Sequence, residues 1–92
     1  MAAERHDVAT LEIDGTDVRL RYADVVVVRR PESDVADWEA IVVPLAEPTF
    51  AHGAYTLSFT TLEGRRFAGP ALLVRSVEGT SVFRGAGELV ER

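Results

Sequence analysis

Cysteine is absent from this 92-residue chain, which excludes disulfide staples, thiolate zinc sites, iron–sulfur clusters and a cysteine nucleophile together. Lysine is absent as well: all ten basic residues are arginine, set against fifteen acids for a net charge of -5. A surface of that sign repels a phosphate backbone unless a local basic stripe overrides the mean, so nucleic acid is not the expected partner. Long apolar runs are also missing. The longest are four residues, Val25 to Val28 among them, far below the ~20 residues that span a bilayer, and the start MAAERHDVATLEID carries charges where a signal peptide needs an apolar core. The expectation is a cytoplasmic protein with no membrane partner.

What remains is a chain that is 47% hydrophobic and 27% charged, a composition that folds as a globular domain. Its length suits one domain over residues 1–92, with residues 1–6 expected to be disordered ahead of the first strand. So short a chain hides only roughly 60–65% of its unfolded surface, which makes burial against a partner valuable. The charge is uneven. Residues 1–49 hold five arginines and eleven acids, whereas residues 50–92 hold five arginines and four acids.

The recurring pattern is period-two alternation broken by turn signals, the mark of short antiparallel strands. Leu11 and Ile13 flank Glu12, and the Asp14-Gly15 pair turns the chain back into Val18, Leu20 and Tyr22, which alternate with Arg19 and Arg21. Val25 to Val28 follow with no polar break, so this strand either lies centrally or presents Val26 and Val28 to another molecule. Residues 34–43 fit both a short amphipathic helix and a strand; the β-branched end and Pro44 favour the strand. After a loop carrying Pro48, Phe50 and His52, Tyr55, Leu57, Phe59 and Thr61 give the clearest strand. Glu63-Gly64 and Glu78-Gly79 predict two more hairpins, and Gly69-Pro70 marks a bulge or an edge. The fold expected is all-β, a small antiparallel barrel or sandwich of about six strands built from hairpins and laid out as a meander.

Catalytic machinery is not legible. His6 and His52 lack the spacing of a metal pair, no serine sits in a nucleophile elbow, and the acids Asp34, Asp37 and Glu39 lack the glycine of a calcium loop. No RxxxR arginine pair is present to grip a cyclic dinucleotide, and Gly85-Ala86-Gly87 is no phosphate loop. No enzyme, metal or cofactor is expected. The expected function is a structural or protein-interaction domain that self-associates, with Val26 and Val28 at the interface. The alternative is a barrel for single-stranded nucleic acid or an anionic ligand, using Arg65, Arg66, Arg75 and Arg84 near Phe67 and Phe83. A further option is a small-molecule pocket lined by Trp38 and Tyr55.

Overall fold

The computed structural model describes residues 2–45 and 50–92; Met1 and Pro48 lie outside the described residues. Among the described residues every regular element is a strand, and no helix is long and apolar enough to cross a membrane. The strands are β1 (Ala2–Ile13), β2 (Thr16–Val18), β3 (Leu20–Arg29), β4 (Asp37–Pro44), β5 (Gly53–Thr61), β6 (Arg66–Val77), β7 (Thr80–Gly85) and β8 (Val90–Glu91). Six of them close an antiparallel barrel in the order β1-β3-β4-β7-β6-β5, with β5 pairing back onto β1. The short β2 precedes β3 alongside β1, and β8 follows β7 alongside β6.

The hairpin signals hold. Asp14-Gly15 and Glu78-Gly79 carry positive φ at both residues (51 and 80°, 50 and 79°), the type I′ geometry that matches strand twist. The third turn is wider. Gly64 N–H donates to the Thr61 carbonyl at 2.9 Å, Thr61 N–H donates to that of Arg65 at 2.8 Å, and only Gly64 (φ 88°) is left-handed. Residues 37–44 form a strand, with Trp38, Ala40 and Val42 facing inward and buried.

Two details depart from the sequence reading. The strands are not a meander, because β4 and β5 are consecutive in the chain yet have β7 and β6 between them. The disorder expected over residues 1–6 is, from Ala2 onward, the first half of β1, paired from Ala2↔Arg29 to Asp7↔Asp24. That pairing supplies the partner which the valine run needs, since an open apolar edge would template aggregation. Of the two arrangements open to the valine run, the structure has the one with a single core face. Val25 and Val27 are buried, while Val26 and Val28 lie half-buried on the outer surface.

Inside, Leu57 and Phe83 are fully enclosed, and Phe59, Phe67, Leu73 and Trp38 complete the large side chains of the core. Three register shifts, at Val8/Thr10, Leu20/Tyr22 and Leu73/Arg75, add the local twist and bend that closure requires. At Gly69-Pro70, read as a bulge or edge, the β6–β7 pairing breaks: Ala71 pairs Gly85 and Ala68 pairs Val90, so two residues of β6 face four of the neighbouring chain. Residues 86–89 use that slack to fold over Trp38, whose Nε1–H donates to the Gly87 carbonyl at 2.9 Å. The indole lies so close to Gly85 that a Cβ there would sit 2.2 Å from its Nε1.

Two glycine substitutions should therefore fail for different reasons. Gly85→Ala must displace the indole, an overpacking cost of about 2 kcal/mol. Gly79→Ala meets no atom within 4 Å but keeps a φ of 79°, costing about 1 kcal/mol in backbone strain. Urea midpoints with tryptophan fluorescence separate them. Both variants should unfold earlier, and only Gly85→Ala should shift the native emission of the single tryptophan; an unshifted spectrum would show that Trp38 does not rest on Gly85.

Candidate interaction surface

Because side chains alternate across each strand, the outward set is fixed once the core set is known, and around this barrel it is divided. Along β1 and β5 it is polar, with Thr10, Glu12, Thr56, Ser58 and Thr60. Along β3, β4, β7 and the middle of β6 it is largely apolar. Val26, Val28, Ile41, Val43 and Val82 are half-buried there, and Tyr22, Leu72 and Val74 are each more than 40% exposed. Charged side chains interrupt this face, yet each of the four neighbouring strands carries an apolar side chain turned outward, a feature that marks candidate contact surfaces.

The register orders this face into rows. Val26 pairs Glu39, Glu39 pairs Arg84 and Arg84 pairs Leu72, giving apolar, acid, base, apolar across β3-β4-β7-β6. In the next row Asp24 pairs Ile41, Ile41 pairs Val82 and Val82 pairs Arg75, giving acid, apolar, apolar, base. Beside the first row an open groove of about 530 Å3 runs between Val26, Val28, Trp38 and Arg84. Arg30 and Asp37, 3.3 Å apart, border it.

Asp24 is the unusual member. Its side chain is 7% exposed although it points outward, because Tyr22 and Arg5 fold over it. The Tyr22 hydroxyl donates to Oδ2 at 2.6 Å and itself accepts from Arg5 Nη2 at 2.6 Å, while Arg5 Nη2 lies 2.7 Å from the same Oδ2. Oδ1 is buried with no hydrogen-bond partner among the described residues. Donation to the carboxylate, helped by burial, holds the Tyr22 phenol above its usual pKa, against the opposing pull of Arg5. The Arg5 guanidinium is raised in turn, chiefly by its bond to Tyr22.

Of the residues singled out from the sequence, Val26, Val28, Arg75 and Arg84 come together on this face. Arg65 and Arg66 do not join them. Arg66 and Arg75 stand at opposite ends of β6, about 30 Å apart along an extended strand. Arg65 is engaged elsewhere: Nε and Nη2 donate to the two Glu91 oxygens at 2.9 and 2.8 Å, which lowers the Glu91 pKa, and Cζ sits 5.1 Å from the Phe67 ring. Phe67 and Phe83 are core residues. Trp38 and Tyr55 have different neighbours: Trp38 rests on Gly85 and Gly87, whereas Tyr55 packs edge-on against Phe50 and Phe83 and donates its hydroxyl to the Ala51 carbonyl at 2.5 Å. His6 is buried and His52 exposed, and among the described residues no three His, Asp or Glu side chains group as metal ligands.

Ile41, Val43, Val82, Leu72 and Asp24 are members of the face that the sequence reading missed. A signal for two of them was present: once residues 38–43 are read as a strand with Trp38, Ala40 and Val42 inside, Ile41 and Val43 must be outside. The chain matches no protein-family model, no curated protein and no solved structure with which it was compared.

The Asp24 cluster makes a measurable claim. In the Tyr55→Phe protein only Tyr22 remains to ionise, and its absorbance titration should have a midpoint above the ordinary tyrosine value of about 10. Asp24→Asn should bring that midpoint down. Since the folded-state pKa is the raised one, the stability this bond contributes is present below the ordinary tyrosine range and is lost as pH rises through the folded value. A midpoint unmoved by Asp24→Asn would mean that the hydrogen bond does not form in solution.

Proposed function

We propose that this chain is a non-enzymatic, cytoplasmic protein-interaction domain that pairs with a second copy of itself through the outer face of β3, β4, β7 and β6. The observation that carries this reading is the order of residues within the two rows. A twofold axis parallel to the strands, passing between β4 and β7, reverses each row against its copy. Glu39 then faces Arg84 and Ile41 faces Val82 on the two strands next to the axis, while Val26 and Leu72 flank the contact on either side of the barrel. At the axis the acid meets a base and each apolar side chain meets another, the self-complementarity that an isologous dimer needs.

Four strands about 4.8 Å apart and about six residues deep offer roughly 400 Å2 on each copy. The total of roughly 800 Å2 is below the ~1,200–2,000 Å2 of ordinary specific interfaces, so the pairing is a weak, transient one with a dissociation constant of about tens of micromolar. The nucleic-acid reading has less support. The four arginines it needs are spread over two sides of the barrel, one of them is held by Glu91, and the net charge of -5 opposes approach to phosphate.

Sedimentation equilibrium tests the pairing through charge reversal. Glu39→Arg places like charges opposite each other twice across the axis and should weaken association about tenfold or more, as should Arg84→Glu. Combining the two should restore it. Val26→Thr with Val28→Thr keeps strand propensity and lowers apolarity, and should also weaken the dimer. A species that stays monomeric to about 200 μM, well above the expected dissociation constant, defeats the proposal. So does a double reversal that fails to recover association. Binding of single-stranded DNA or RNA at about 50 mM salt that vanishes on changing Arg75 and Arg84 to serine would replace it with the nucleic-acid reading.

A further inference from the structure

The polar side of the barrel is ordered in rows as well. Across β8, β6, β5 and β1 one row reads Arg92, Arg66, Thr60, Thr10: Arg92 N–H donates to the Arg66 carbonyl at 2.8 Å, Arg66 pairs Thr60 and Thr60 pairs Thr10. One strand period away, the row across β5, β1 and β2 reads Ser58, Glu12, Asp17. Both rows line a single open groove of about 300 Å3. Two guanidiniums therefore stand at one end of the groove and two carboxylates at the other, with the Ser58 and Thr60 hydroxyls between them on β5 and that of Thr10 alongside.

Two features point to a ligand. Each end sets like charges directly opposite each other across a strand pair, Arg66 against Arg92 and Glu12 against Asp17, an arrangement that is unfavourable on a sheet. Nothing in the chain offsets it: among the described residues none of these four side chains has an opposite charge within 4.0 Å. Their chain neighbours Arg65 and Glu91 do pair with each other, at 2.8 Å. The charges are also sorted. On the apolar side of the barrel an acid stands opposite a base, Glu39 against Arg84; in this groove acid stands with acid and base with base, so the groove carries a charge dipole along its length.

We propose that this groove binds a small zwitterion, a free dipeptide. The guanidiniums of Arg66 and Arg92 donate to its carboxylate, the bidentate match that arginine makes with a planar anion. Its ammonium donates to Glu12 and Asp17, and the peptide group between offers one N–H and one carbonyl to the hydroxyls of Ser58 and Thr60. Length selects two residues. Arg66 and Glu12 are two strands apart and offset by one strand period, which places their Cα atoms about 12 Å apart, with side chains standing roughly perpendicular to the sheet. Subtracting about 2.8 Å for a charge-assisted hydrogen bond at each end leaves roughly 6 Å between the charges of the ligand, the span of two extended residues at about 3.3 Å each. A single amino acid is too short to reach both pairs. A simple anion meets Glu12 and Asp17 as repulsion, and a simple cation meets the two arginines in the same way.

Glycylglycine is therefore the probe, titrated into the full chain at neutral pH and low salt and followed by NMR of the Thr10, Ser58 and Thr60 signals. Saturable shifts confined to the groove are expected, with a dissociation constant of about millimolar order. N-Acetylglycylglycine lacks the ammonium and glycylglycinamide lacks the carboxylate; each should bind at least about tenfold more weakly, as should glycine. Arg66→Gln and Glu12→Gln, both at exposed side chains, should each weaken glycylglycine binding about tenfold or more while leaving the β-sheet circular dichroism intact. No saturable shift up to about 50 mM overturns the proposal. So does a blocked probe that binds as well as glycylglycine, since one charge pair would then suffice, and so does an affinity unchanged in both variants. The comparison of probes needs no variant, so it stands even if a variant fails to fold.

Discussion

The pairing of β1 with strands on both of its sides is the constraint on which the rest of this molecule depends. Its first half lies against β3, from Ala2↔Arg29 to Asp7↔Asp24, and from Val8 onward its other side lies against β5. Without the second pairing the sheet would be open, with β1 and β5 as exposed edges that a small domain must otherwise blunt. With it, every inward position from six strands converges on one core. The register shift at Val8/Thr10 makes this possible: His6 and Val8 point inward before it, Leu11 and Ile13 after it, so one strand changes parity as the barrel coils. Asp14 extends the seam beyond the strand, its N–H donating to the Thr56 carbonyl and its Oδ1 accepting from Thr56 N–H at 2.7 Å.

Closure also decides which apolar residues are left over. A barrel of six short strands has room for a limited set of inward side chains, and Val25, Val27, Ala40, Val42 and Phe83 occupy it on the β3-β4-β7 side. Val26, Ile41 and Val82 alternate with these and have no interior to enter. Their apolarity is therefore not required by the core. Where β1 pairs with β5 the outward positions Thr10, Glu12, Thr56, Ser58 and Thr60 are polar, residues equally compatible with a strand. The same backbone thus carries two kinds of exterior, and the difference resides in composition alone.

What could be read from the sequence follows from which forces are local. Period-two alternation and Asp-Gly or Glu-Gly turns act over a few residues, so the strands, the three hairpins and the all-β class were legible. The neighbour order was not, because the step from β4 to β5 is set by how six strands share one interior. The strand at Ala2–His6 was hidden for a related reason: AAERH has little β propensity of its own and is ordered by the valine edge it covers. The valine run was half legible. Unbroken apolarity announced two covered faces, yet only register could show Val26 beside Glu39 and, across it, Arg84 beside Leu72. The four arginines misled, since nearness in sequence placed Arg65 and Arg66 with Arg75, whereas twelve residues of extended strand carry the two ends of β6 far apart.

Strand β3 contributes to two surfaces of the barrel, its mouth and its outer face. Val27 points into the mouth below His6, and Val26 and Val28 point out onto the paired rows. Side chains one position apart thus serve opposite sides, so each surface can change by substitution without touching the other. The arrangement is correspondingly intolerant of slippage: a one-residue shift of β3 would send Val26 and Val28 into the barrel and Val25 and Val27 into solvent. An open sheet has free edges at which such a shift can begin. Here β3 is held by β1 on one side and β4 on the other, and the type I′ turn at Asp14-Gly15 fixes the count of residues between β1 and β2. Closure by β1 and β5 is therefore what keeps the two surfaces distinct, because it makes any change of register in β3 a change in every strand around the barrel.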